Sequence, residues 1–245
     1  MSDGLGQKQR QLLNDFVRAM KDAAGPNLLS IVLYGSAAAH DYSSKHSDMN
    51  LLVIVQELDH AALDKTAPVL RWWGEQHQPT SLLLSIEELR AGSDVFAIEL
   101  LDIQQQHELL FGTDMVGEIE VPLKFHRLQI ERELRTAIIR LRQQYVSAVR
   151  KQDKLLQLMV ESSSTFHILF RHTLIAMGET PPRERNQVLN RLGAALQIDV
   201  AAIRTLVDLR EGRISKKDVD VTQTFAGYLR ALYAAVDAVD RQLPR

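Results

Sequence analysis

Two short runs of almost unbroken leucine, isoleucine and valine, Leu28–Tyr34 and Asn50–Val55, constrain this chain more than any other feature. Apolar runs of that length read as strands buried on both faces. The first runs out in Tyr34-Gly35-Ser36, and the second is led in by Ser47-Asp48-Met49-Asn50. Between them Ala37-Ala38-Ala39-His40-Asp41 is a strong helix-former, followed by the turn-like Tyr42-Ser43-Ser44-Lys45. The expected order is strand, tight turn, short helix, loop, strand.

Around that core the periodicity predicts a helix over 7–23, with Leu12, Leu13, Phe16, Val17 and Met20 on one face and Gly25-Pro26-Asn27 as the stop. Residues 59–77 read as another helix, with Leu63, Val69 and Leu70 inward and Trp72-Trp73 near its end. Residues 81–85 form a third short strand candidate. Residues 95–103 fit either state: a strand puts Glu99 and Asp102 on opposite faces, a helix puts them on one. His107–Gly112 reads as a short terminal strand or turn.

Beyond Pro122 the pattern is helical throughout. One long helix is expected over 123–150, with Leu128, Leu134, Ile138, Leu141 and Tyr145 inward. Further helices are expected over 154–177, 185–196, 200–210 and 222–242. The fold class is therefore α+β: a mixed-sheet domain over 1–121 followed by an all-helical bundle over 122–245.

Composition sets the outer limits. The 245 residues suffice for a buried core, and 45% hydrophobic with 24% charged residues is ordinary for a globular chain. A formal charge of -2 exerts no global pull on nucleic acid or anionic membrane, so phosphate binding has to come from a local site. The absence of cysteine excludes disulfides, thiol nucleophiles and cysteine-ligated zinc. No apolar run approaches the ~20 residues of a membrane span, and the N-terminal residues lack the apolar core of a signal peptide. A cytoplasmic protein is expected.

The strand-turn-strand segment carries the chemistry. A glycine leaving a strand allows close backbone approach, and amides after it can face an anion. The Ser36 hydroxyl adds a side-chain donor. Asp48 and Asn50 alternate along the second strand and point to one face, where two oxygen donors can share a hard cation. Gly35 and Ser36 are thus the candidate phosphate cradle, with Asp48 and Asn50 as the candidate metal ligands.

These residues resemble the nucleotidyltransferase superfamily typified by DNA polymerase β, and more closely its small bacterial antibiotic and minimal nucleotidyltransferase branches. The shared pattern is an apolar strand, Gly-Ser, roughly ten residues, then Asp-x-Asp heading a second apolar strand. Gly35, Ser36, Asp48 and the strand after it match. The helical second half also resembles the antibiotic-modifying members. The resemblance implies Mg2+ as cofactor, a nucleoside triphosphate as substrate, and transfer of a nucleoside monophosphate to a hydroxyl of a small molecule or protein. It is compatible with a homodimer.

The pattern departs in two places. Asn50 stands where the second aspartate is expected, which removes one negative charge from the metal site. The next strand, 80–85, holds no acid where the resemblance implies a third carboxylate. Glu99 is the preferred replacement as catalytic base, ahead of Asp94 and Asp102. The alternative, a catalytically inactive nucleotide-binding or regulatory protein on the same fold, stays open.

Other features weigh less. Arg132 and Arg135, in the basic stretch 124–154, are candidate triphosphate contacts, set against the plainer reading of a solvated basic face. His40 and His46 flank the loop, but Mg2+ prefers oxygen. Trp72-Trp73 could stack a base, although one core and one half-exposed tryptophan is the simpler expectation. The helical half also resembles the bundles paired with minimal nucleotidyltransferases in toxin-antitoxin systems, whose ribonuclease members carry arginine and then histidine a few residues later. That spacing occurs at Arg71 and His77, in the first domain, which argues against ribonuclease activity. No nucleic-acid module is recognisable.

Overall fold

A computed structural model describes residues 5–38, 48–182 and 184–242, with backbone alone at Ser36 and Gln242. It divides into two compact units, Met1–Pro122 and Leu123–Arg245. The expected α+β class is observed, and the strands among the described residues all precede residue 113.

The first unit is built on a four-stranded sheet. Its strands are β1 (Leu28–Tyr34), β2 (Asn50–Val55), β3 (Leu82–Ser85) and β4 (His107–Gly112), in the order β3-β2-β1-β4. β1 is antiparallel to both β2 and β4, while β2 and β3 run parallel. Helices α1 (Gln7–Ala24) and α2 (His60–Glu75) belong to the core on one face, where Phe16, Met20, Val69 and Trp73 pack with Ile31, Leu33, Leu51 and Val53. The other face carries Val32, Leu52 and Ile54. They meet Ile86 and Leu89 of α3 (Ile86–Ala91), Leu100 and Ile103 of α4 (Ala97–Gln105), and Val116 of α5 (Met115–Glu118). Both faces of β1 and β2 are therefore dry, which explains their solid apolar composition. Each side chain so buried contributes roughly 1.5–3 kcal/mol.

Local signals set the ends. Asp59 caps α2 by accepting from the Ala62 amide at 2.8 Å. Ser85 and Glu88 form a reciprocal capping box at the start of α3. Asn27 clamps the exit of β2, donating to the Glu57 carbonyl at 2.8 Å and accepting from its amide at 2.9 Å. At the end of β4, Gly112 has φ +82°, and a Cβ there would sit 1.9 Å from the Leu29 carbonyl oxygen.

The structure corrects several expectations. The ambiguous 95–103 segment is helix α4, whose buried residues Ala97, Ile98, Leu100 and Ile103 follow helical spacing. Glu99 lies among the exposed positions of that helix. Leu63, expected inward on α2, is 48% exposed, because the buried face is Ala62, Thr66, Val69 and Trp73. The short helix expected after Ser36 begins as a 3-10 turn over Gly35–Ala37, and its remainder lies outside the described residues.

The second unit consists of α6 (His126–Ala148), α7 (Gln152–Ala176), α8 (Arg185–Leu196), α9 (Ala201–Arg210) and α10 (Val221–Gln242). α7 packs against the other four, so it is buried at Leu155, Met159, Phe166, Phe170 and Leu174. On α6 the inward stripe runs through Ile130, Leu134, Ile138 and Leu141. Leu128, expected inward, lies two residues off that stripe and is 59% exposed. Tyr145 is half-buried and stacks on Phe225 at 4.6 Å between ring centroids. His126 and His172 are buried together, with Nε2 and Nδ1 3.0 Å apart.

Candidate nucleotide corner

The corner lies where β1 ends and where β2, β3 and β4 begin. Tyr34 closes β1, standing opposite Asn50 of β2 on one side and His107 of β4 on the other. Gly35 follows with φ +78°, a conformation natural to glycine. Its amide donates to the Gln106 carbonyl at 3.0 Å, and its carbonyl accepts from the Ala38 amide at 3.0 Å. The Gly35 amide is therefore committed to the sheet, and an anion at this turn has to be met by the groups that follow it. Ser36, the expected side-chain donor, provides the next backbone position of the turn.

Asp48 is exposed two residues before β2, and Asn50 is half-buried as the first residue of the strand. Met49 between them is buried in the core on the α1 and α2 side. Strand alternation then directs Asp48 and Asn50 to the opposite face, shared with Leu52 and Ile54. Asn50 Nδ2 would lie 3.4 Å from a Cβ placed on Gly35, so this side chain adjoins the glycine turn. The two halves of the motif are thereby brought together.

The neighbouring strand supplies neutral groups. β2 and β3 pair from Leu52 and Leu82 onward, and the segment leading into β3, Thr80-Ser81, holds no acid. Gln78, just before it, accepts from the Met49 amide through Oε1 at 3.1 Å. Glu99 stands elsewhere: it is exposed in the first turn of α4, seven residues before Gln106. That separation is about 10 Å along the helix axis at 1.5 Å per residue.

The remaining candidates fall as follows. Arg132 and Arg135 are exposed on α6 of the second unit, and Arg135 is ion-paired with Glu131 at 2.8 Å. His40 and His46 lie outside the described residues. Trp73 is buried edge-on against Phe16, with centroids 4.9 Å apart, and Trp72 is half-buried against the same core. Two hollows of about 290 and 500 Å3 sit at the far ends of β2 and β3, lined by residues such as Asn27, Glu57, Asp59 and Glu87.

Sequence reading passed over one charged pair beside the corner. His107 Nε2 lies 2.9 Å from Asp114 Oδ2. Burial opposes charging of His107, but the Asp114 carboxylate and the carbonyls of Gln104 and Ile103 outweigh it and raise its pKa. Asp114 is likewise opposed by burial, yet His107 and the Gly117 amide hold its carboxyl below the usual range. Burial alone raises the Tyr34 phenol. The seven-residue gap between His107 and Asp114 gave no sequence signal, because the turn after β4 is what closes it.

Mg2+ can be tested against the donor set. Among the described residues no group of three histidine, aspartate or glutamate side chains is placed to hold a metal. One carboxylate at Asp48 and one amide oxygen at Asn50 fit a single hard cation whose other ligands are phosphate oxygens and water. They do not neutralise a second ion beside it.

No protein-family model matches the chain, and no curated protein matches it. Among solved structures, the spectinomycin adenyltransferase of Enterococcus faecialis, determined with ATP and spectinomycin, is 13% identical with a TM-score of 0.42, covering 94% of this chain and 99% of its own. A toxin-antitoxin structure with AMP-PNP is 19% identical over 49% of this chain and 91% of its own, with a TM-score of 0.33. A tri-AMPylated Shewanella oneidensis HEPN toxin in complex with MNT antitoxin gives 20% identity over 51% and 92%, with a TM-score of 0.32. No helix among the described residues is long and apolar enough to cross a membrane.

Proposed function

We propose that this chain binds a nucleoside triphosphate with one Mg2+ at the Gly35–Asp48–Asn50 corner and transfers a nucleoside monophosphate to a hydroxyl of a small molecule or protein. The observation that carries this reading is the register of Tyr34 against Asn50, which brings the glycine turn and the head of the acidic strand together. Asp48 and Asn50 would hold the cation, which when bound polarises the phosphates and offsets their charge. The turn after Gly35, including Ser36, would contact the phosphate oxygens. Glu99 is the carboxylate proposed to take the acceptor proton. Neither nucleic acid nor membrane is expected as a partner, and the site is proposed to operate in the cytoplasm.

A second reading, nucleotide binding without transfer, has a specific observation in its favour. Neither β3 nor the Thr80-Ser81 segment leading into it holds a carboxylate that would activate the acceptor, and Glu99 stands at an exposed helical position instead. General-base assistance contributes roughly 10²- to 10⁴-fold, so its loss slows transfer heavily.

Calorimetric titration with each nucleoside triphosphate, with and without Mg2+, tests the common part. Metal-dependent binding that disappears in Asp48→Ala supports the corner as a nucleotide site. Absence of binding for every nucleotide defeats both readings. Labelled-nucleotide transfer to candidate acceptors then separates the first reading from the second.

A further inference from the structure

The turn at Gly35 is tied to charged groups that the nucleotide reading leaves unused. His107 opens β4 with its ring between two kinds of acceptor. Nδ1 lies 3.1 Å from the carbonyl oxygens of both Ile103 and Gln104, at the end of α4. Nε2 faces the Asp114 carboxylate at 2.9 Å. Carbonyls and carboxylates accept, so the ring satisfies both sides only as a double donor, an imidazolium. The C-terminal end of a helix also favours a cation. Asp114 is oriented in turn by the Gly117 amide, which donates to Oδ1 at 2.8 Å.

The next residue is fixed from the other side of the sheet. Glu108 stands opposite Leu33 and pairs with Arg10 of α1 at 2.5 Å. Gln106 precedes these two ion-paired residues directly. Its amide donates back to the carbonyls of Asp102 and Ile103, and its carbonyl receives the Gly35 amide.

We propose that His107 is a positioning residue for the corner: by bridging Asp114 and the end of α4 it fixes the Gln106 carbonyl, and through it the amide and left-handed turn of Gly35. The consequence for nucleotide affinity rests on the function proposed above. The coupling from His107 to Gly35 is a property of the chain without ligand. The groups facing the ring are the Asp114 carboxylate from the segment before α5 and backbone carbonyls from α4, and the titratable residue paired with His107 across the strands is Tyr34 of β1.

The test is NMR on the full, isotopically labelled chain across pH 5 to 9 without nucleotide, followed by ATP with Mg2+. In the wild type the Gly35 amide shift follows the His107 ring with a common midpoint. His107→Gln removes that response and lowers the exchange protection of the Gly35 amide by about tenfold. It also weakens ATP binding by roughly ten- to a hundredfold, the usual effect of removing a group that orients a ligand-contacting one. Asp114→Asn lowers the midpoint, and the Gly35 response moves with it. A Gly35 amide that stays still while His107 titrates, with the same result in Asp114→Asn, overturns the proposal even if His107→Gln fails to fold. If the wild type binds no ATP, the nucleotide reading falls while the ligand-free titration still decides the coupling.

Discussion

The Gly35 amide donates to the Gln106 carbonyl at 3.0 Å, which makes the glycine turn an extension of the β1–β4 ladder. Because φ at Gly35 is +78°, a side chain there is strained even though the nearest atom, Asn50 Nδ2, leaves room for a Cβ at 3.4 Å. Gly35→Ala is therefore expected to cost about 1–2 kcal/mol, the backbone penalty alone. Gly112→Ala faces the same strain plus a carbonyl oxygen 1.9 Å from its Cβ, and is expected to cost more. Urea denaturation of both variants checks the ranking. Equal losses would show that the Leu29 backbone gives way freely.

Asp48 and Asn50 differ in what substitution should do. Asp48→Ala removes the carboxylate at the head of β2, and Mg2+-dependent nucleotide binding is expected to disappear with stability nearly unchanged, since Asp48 is exposed. Asn50→Asp restores a second carboxylate on the same face. Transfer gained from an inert background identifies a protein that binds without transferring. An existing activity left unchanged or lowered makes asparagine the working residue. Labelled-nucleotide transfer, measured on both variants, separates these outcomes.

The parts of the fold legible beforehand were those where one interaction decides the outcome. β1 and β2 are apolar because helices cover both faces of the sheet, so Leu28–Tyr34 and Asn50–Val55 could be bounded from composition alone. The segment around Glu99 was ambiguous, since Phe96-Ala97-Ile98-Glu99-Leu100-Leu101 is apolar enough for either state and only its packing against β1 and β2 selects the helix. Leu63 and Leu128 misled because leucine at nearly the right spacing is not leucine on the buried stripe. Gly35, Asp48 and Asn50 could be paired through their flanking strands. The His107–Asp114 and His126–His172 contacts depend on returns of the chain that no local pattern encodes.

Tyr228, fully buried on α10, has its hydroxyl 3.0 Å from Ser162 Oγ. The Ser162 hydroxyl donates to the Met159 carbonyl at 3.0 Å, so the tyrosine is the donor between them. Burial drives its pKa well above the ordinary tyrosine value. Tyr228→Phe is expected to cost about 1 kcal/mol, the net value of one neutral hydrogen bond. In ultraviolet titration of the folded chain, this phenol should not ionise with the exposed tyrosines. Ionisation of Tyr228 near pH 10, read as the difference between wild type and Tyr228→Phe, would show that the second unit opens there.

The His107–Asp114 pair gives stability a bounded pH window. His107 is raised, so its contribution is complete below the unfolded histidine value of about 6.5 and is lost as pH rises through its folded value. Asp114 is lowered, so its contribution is present above the unfolded value of about 3.9 and is lost as pH falls through its folded value. Together they stabilise most between those two limits. Asp114→Asn removes the carboxylate from both sides of the balance. The stability difference between wild type and Asp114→Asn, from urea denaturation at pH 5.5, 7 and 8.5, is expected to be largest at pH 5.5 and to shrink as His107 loses its proton. A difference that is flat across the series would mean the contact is held by a neutral imidazole, with no ion pair behind it.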